Sequence, residues 1–291
     1  AMTVLKIAIV FFVVVVGFFY VKASNFTPFI PPSQPASTVE GSSAVTGVMT
    51  QPLWQFATGM TPSVYGVPGI LSGAALVFFA FIGFDVVATA SEETKNPHKN
   101  VPLGIGVGML LIIVMYMLVA VVTTGMVSYA DLAKQDSPSL ATAFELVGAD
   151  WAAKIISFGI VLGLATVVMV LLLGLTRIVF AMSRDGLLPR GLSKTGKHGT
   201  PAALQIVVGA VVALVAAFFD IGVLSDMVNI GTLSAFTLVA ISIPIMRKKR
   251  PDLPRAFKMP GSPWIPILIA VANFWLMLNL SVLTWIRFVV W

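Results

Sequence analysis

The sequence predicts an all-α, polytopic membrane protein, and three observations carry that prediction. Of 291 residues, 58% are hydrophobic and 10% charged, with a mean hydropathy of +0.98. The apolar residues are gathered into runs near the ~20 residues a helix needs to cross the hydrocarbon core of a bilayer. Those runs are continuous, whereas barrel strands would alternate apolar and polar over about ten residues.

Bulk composition also removes several function classes. There is no cysteine, and His98 and His198 are the two histidines, so a disulfide framework or thiolate zinc site is excluded, and no metal or cofactor is expected. The net charge of +6 would suggest nucleic acid in a soluble domain. Here the basic residues flank apolar spans, where they set orientation in the lipid bilayer, and no nucleic-acid partner is expected. No G-x-S-x-G, H-E-x-x-H or G-x-x-x-x-G-K-[ST] pattern occurs, and an enzyme is not expected.

Spans are expected at 1–20, 67–91, 101–127, 151–183, 201–219, 223–246 and 263–280, with an eighth starting at 282–291. The stretch from Met2 to Tyr20 has no small-residue cleavage pattern and reads as a span rather than a signal peptide. One set of loops carries Lys95, Lys99, Arg184, Arg190, Lys194, Lys197, Arg247, Lys248, Lys249, Arg250, Arg255 and Lys258; the alternate set carries Lys22 and Lys134. The positive-inside rule puts the first set in the cytoplasm, so the first span runs outward and 67–91 runs inward. The first span has no loop before it, and the last stops at Trp291 after roughly half the length needed to cross. A piece of a longer protein is expected.

The outer segment 21–66 is rich in Pro, Ser, Thr and Gly and reads as an extended loop with an ordered patch around Trp54 and Phe56. In the second outer loop, the periodicity of Pro138 to Gly148 suits a short amphipathic helix at the surface. On the inner side, the prolines of Arg247 to Pro266 argue against helix, and both long inner loops suit anchoring to anionic headgroups.

Within the 67–91 span, Gly83 is the natural break point, because glycine weakens a helix and accepts unusual backbone angles. Asp85 follows two residues later. A carboxylate in an apolar span is costly, and an interrupted helix survives at membrane depth only where its backbone lines a cavity or meets a ligand. Two readings stand: a substrate-binding break, or a packing glycine beside a structural ion pair. Lys6 lies about 21 Å below Tyr20 at 1.5 Å per residue. It either snorkels to the inner headgroups or is buried, where desolvation would let it exchange a proton near neutral pH. Arg177, near the end of its long helix, reads as snorkelling. Glu92 and Glu93 sit at a helix C-terminus, where the dipole disfavours anions. They are expected to pair with the basic loop that begins at Arg184, forming an inner latch. Gly69 and Gly73, Gly104, Gly106 and Gly108, and Gly159 and Gly163 are spaced for close helix contact.

Three ordered motifs, FFAFIGFDVVATASEETKNPHKNVPLGI, TRIVFAMSRDGLLP and TLSAFTLVAISIPIMRKKRPDLPRAFKMPGSPWIP, resemble the amino acid permeases of the amino acid, polyamine and organocation superfamily. The likeness is strongest to the branch of cationic amino acid transporters and their bacterial relatives, and it covers the chain apart from 21–66. The resemblance implies two inverted five-helix repeats plus two further helices. On that pattern 1–20 is the fifth helix, 67–246 holds the sixth to tenth as the second repeat, and 247–291 adds an inner loop, the eleventh helix and the start of the twelfth. The first four helices, with their share of the substrate site, would lie outside the chain. By the same resemblance Phe79, Ala80, Ile82 and Gly83 match the unwound substrate-binding part of the sixth helix, with Phe79 as aromatic gate. Asp85 matches the acidic position past it. Lys6 falls where proton-coupled members carry a lysine, with Thr166 facing it. The implied function is a secondary active amino acid transporter of the plasma membrane, proton-coupled and working by alternating access. An amino acid or polyamine exchanger without proton coupling is the alternative. A membrane-embedded enzyme or a structural membrane subunit finds no motif.

Overall fold

The structure, a computed structural model, describes residues 2–36, 47–84, 94–135, 138–193, 201–252 and 261–290. In chain order they form α1 (Met2–Phe18), β1 (Gln34–Pro35), α2 (Leu53–Thr58), β2 (Ser63–Val64), α3 (Gly66–Val77), α4 (Pro97–Met126), α5 (Tyr129–Ala133), α6 (Leu140–Leu146), α7 (Asp150–Arg184), α8 (Ala202–Phe218), α9 (Ile221–Lys249), α10 (Trp264–Leu278) and α11 (Val282–Val290). The protein is all-α; among the described residues the strands amount to one ribbon of two two-residue strands, in which Gln34 faces Val64. Among the described residues, α4, α7 and α9 are long and apolar enough to cross a membrane, while α1, α3, α8 and α10 are shorter apolar helices. Two threonines inside the long helices bond their own backbone: Thr176 Oγ1 donates to the Leu172 carbonyl and Thr237 Oγ1 to that of Leu233, both at 2.7 Å. Such bonds hide a hydroxyl where no water is available to pair it.

The chain divides into two compact units. In the first (residues 1–27, 83–95 and 103–218), the core gathers Val13, Val122, Met126, Phe144, Ala152, Ala153 and Ile156. Gly17 is needed at its centre, because a Cβ there would collide with Val122, Met126 and Phe144. Phe144 comes from α6, the predicted amphipathic helix. The helix forms where expected, yet Ala141, Ala143 and Phe144 are buried rather than resting on the surface. Ser139 caps it by accepting from the Thr142 N–H. Ser128 caps α5 in the same way through the Asp131 N–H. The Ser128 hydroxyl also hydrogen-bonds the Asp131 carboxyl and, with Lys134 nearby, holds it below the usual aspartate range.

In the second unit (residues 28–82, 96–102 and 219–291), Ala75 of α3, Ile230 and Leu233 of α9, Met277 of α10 and Leu280 just after it form the core, with Phe78, Trp285 and Phe288 against it. In the outer segment, the part around Trp54 is tied down by hydrogen bonds. Leu53 N–H donates to the Leu280 carbonyl at 3.0 Å, Val282 N–H to that of Gln51 at 3.1 Å and Leu283 N–H to that of Met49 at 2.8 Å. Trp54 Nε1 reaches Asn279 Oδ1 at 2.9 Å. The expected patch around Trp54 is therefore α2, clamped to the α10–α11 turn.

Two local expectations need correction. The Arg247–Pro266 stretch is not free of helix: α9 continues through Arg247, Lys248 and Lys249, where basic residues suit the C-terminal dipole, and α10 begins at Trp264. Pro266 sits in the first turn of α10, where a missing N–H costs little. Gly104, Gly106 and Gly108 meet no neighbour within 4 Å of an added Cβ among the described residues, so the expected close contact at α4 is not made there.

Candidate functional site

The span predicted at 67–91 changes character in its middle. Helix α3 ends at Val77. A tighter 3-10 turn follows over Phe78–Phe81, and Ile82 is extended with ψ 138°. Gly83 then takes φ +119°, a backbone region that side chains avoid and that fits glycine. The stop therefore falls at Phe81 to Gly83, where the sequence placed it. Asp85 lies outside the described residues.

The aromatic residues at this stop divide their work. Phe78 packs edge-on against Phe236 of α9, with ring centres 6.1 Å apart. Phe79 is 44% exposed, and its carbonyl accepts from the Ile82 N–H at 3.2 Å. Ala80 lies on the exposed side of the turn, and Ile82 is half-buried. An exposed aromatic ring beside an extended residue gives an apolar wall at this turn.

Two polar residues missing from the sequence reading stand on α9 in the same unit. Asn229 is fully buried, and its Nδ2 donates to the Leu76 carbonyl in the last turn of α3 at 3.4 Å. Its Oδ1 is buried and has no hydrogen-bond partner among the described residues. One turn earlier, Asp226 Oδ2 accepts from Thr284 Oγ1 at 3.0 Å. The signal for both was present: Asp226 and Asn229 interrupt the 223–246 run at the i, i+3 spacing that puts them on one helix face.

In the first unit, α1 lies against α7 through two glycines. Ile9 fills the space where Gly159 lacks a side chain, and Lys6 Cε lies 3.9 Å from where a Cβ on Gly163 would be. Thr166 Oγ1 donates to the Gly163 carbonyl at 2.7 Å. Lys6 and Thr166 are both half-buried. The structure thus brings Lys6 to the turn of α7 that carries Thr166. Of the expected latch, Glu92 and Glu93 lie outside the described residues, and Arg184 Nε is 3.6 Å from Asp185 Oδ1 at the exposed end of α7.

The comparisons agree with this architecture. Residues 1–289 match the family described as amino acid permease. The branched-chain amino acid permease BcaP of Bacillus subtilis is 42% identical over 291 residues, covering 100% of this chain and 55% of that protein. The methylthioribose transporter of the same bacterium is 39% identical over 288 residues, 99% of this chain and 55% of its own length. Cationic amino acid transporter 3, mitochondrial, of Arabidopsis thaliana is 45% identical over 195 residues, 67% of this chain and 31% of that protein. The chain spans about half the length of the first two relatives, and all three are named as transporters or permeases rather than enzymes. An all-helical, multi-pass membrane chain matched along nearly its whole length in this way belongs to the amino acid permease family.

Proposed function

We propose that this chain is the substrate-binding and coupling part of a secondary active amino acid transporter of the plasma membrane, driven by protons and working by alternating access. The observation that carries the reading is the stop of α3, with its 3-10 turn at Phe78–Phe81, extended Ile82 and positive-φ Gly83. Interrupted helices at membrane depth are kept where their ends serve a ligand, and in transporters such half-helix ends form the substrate and ion sites. In this reading the carbonyls of the break accept the substrate ammonium, Phe79 closes over it, and Ile82 lines its side-chain pocket. Asp85 adds negative charge just past the break, and 67–246 acts as one repeat. Glu92 and Glu93 pair with the basic inner loop near Arg184 to hold the cytoplasmic side shut.

Lys6 supplies the coupling. Its stem lies along the glycine side of α7, by the turn that carries Thr166. In this reading a proton taken up at Lys6 changes the preferred packing of α1 on α7, with Thr166 offering its hydroxyl oxygen to the ammonium. Proton and substrate then bias the same two-state element.

The test uses the complete gene product in proteoliposomes with an imposed proton gradient. Lys6→Met is expected to abolish accumulation against a gradient while leaving exchange of labelled amino acid. Undiminished accumulation by the variant would remove the coupling role. Accumulation by the unaltered protein that ignores the proton gradient would favour the exchanger alternative. Because the relatives carry names for branched-chain amino acids, cationic amino acids and methylthioribose, competition by leucine, arginine and methylthioribose assigns the substrate class.

A further inference from the structure

We propose that Asn229 is a ligand-binding residue at the end of α3, its side-chain oxygen accepting a hydrogen bond from the ammonium group of the substrate. The inference rests on the reading of this chain as an amino acid transporter and adds to it a second helix, α9.

Asn229 is 0% exposed, between the buried Ala75, Ile230 and Leu233 cluster and the last turn of α3. An apolar residue of similar volume would suit that cluster better, because a buried amide needs partners for both ends. One end has its partner. Nδ2 donates to the Leu76 carbonyl at 3.4 Å, and the opposite placement of the amide would set two oxygens against each other, which fixes its sense. The other end has none: Oδ1 is sealed from solvent without a hydrogen-bond partner among the described residues. Leaving an acceptor in that state is costly, and a bound molecule that donates to it removes the cost.

The chemistry of that molecule follows from what surrounds the oxygen. The Leu76 carbonyl already accepts from Asn229 Nδ2 and from the Phe78 N–H, so the acceptor left open is Oδ1 itself, beside the point where α3 tightens into the 3-10 turn of Phe78–Phe81. Oδ1 accepts and does not donate, so it calls for a donor. Asp226, one turn away on the same helix, adds an acidic group. An alkylammonium with three N–H donors and a positive charge satisfies such a set; a carboxylate is repelled by it, and a hydroxyl, with a single donor and no charge, fills it poorly.

The experiment is a cycle between protein and ligand, run on the complete gene product. Uptake of labelled leucine is measured in competition with unlabelled leucine and with its 2-hydroxy acid analogue, in which a hydroxyl replaces the ammonium, for the unaltered protein and for Asn229→Leu. The unaltered protein is expected to prefer leucine by roughly ten- to a hundredfold, as for a hydrogen bond to a charged group. Asn229→Leu is expected to raise the KM for leucine by about tenfold, as for one lost hydrogen bond to a charged group, with little change for the hydroxy acid, so that the preference shrinks by that factor while the break carbonyls keep the remainder. Equal preference in both proteins, or an unchanged KM, overturns the inference while leaving the transporter reading intact. Should Asn229→Leu fail to reach the membrane, Asn229→Thr, which keeps a smaller acceptor, is expected to show an intermediate preference, and full preference there contradicts the proposal. Absence of any amino acid uptake by the unaltered protein sinks the transporter reading itself, and this inference with it.

Discussion

Where α1 meets α7, the contact is made by removal: Gly159 and Gly163 leave room for Ile9 and for the stem of Lys6. Where α3 meets α9, the contact is made by insertion: Asn229 pushes an amide into an apolar cluster and bonds the end of a helix. The first arrangement puts a lysine against a continuous helix, and the second steadies a helix that has already stopped. On the proposed reading the first seam couples and the second binds, so disturbing each is expected to leave a different signature.

The largest effect is expected at the break. Gly83→Val forces a β-branched side chain into φ +119°, at a strain of about 1–3 kcal/mol or more. Uptake should fall to background with the protein still present in the membrane, and undiminished uptake would show that the break is not needed. At the other seam, Gly159→Leu overpacks the space held by Ile9 and should lower stability by up to about 3 kcal/mol. Its signature is a lowered melting temperature in detergent with the KM of the surviving protein unchanged; a raised KM would erase the distinction between the two seams. The smallest effect is expected from Thr284→Val, which deletes the donor to Asp226. The loss is about 1 kcal/mol, because the carboxylate is partly exposed. A small stability loss without change in substrate preference keeps Asp226 secondary to Asn229, and a changed preference would promote it.

The sequence made the helices, the break and the lysine legible for one reason: each is a local anomaly against an apolar background. Gly83 within FFAFIGFD and Lys6 within TVLKIAIV are visible without knowing any contact. Asn229 and Asp226 are anomalies of the same kind, yet the run around them, MVNIGTLSAF, reads first as a span edge, and the reason for the asparagine lies on α3, 153 residues earlier. The clamp of α2 on the α10–α11 turn was hidden more deeply. Trp54 and Asn279 are separated by 225 residues, and nothing in the composition of the 21–66 segment announces a partner. Phe144 misled in the opposite direction, since an amphipathic pattern gives the apolar face of a helix without saying what will cover it.

The central claim, that the end of α3 is where substrate binds, is tested most directly at Phe79. The chain contains no cysteine, so Phe79→Cys introduces the one thiol within it, at a position already 44% exposed. With any cysteines elsewhere in the complete gene product replaced, the rate of modification by a small thiol reagent is measured with and without saturating amino acid substrate. The account predicts that substrate slows the reaction severalfold and that a non-transported amino acid does not. A rate indifferent to saturating substrate, in a variant that still transports, would contradict it.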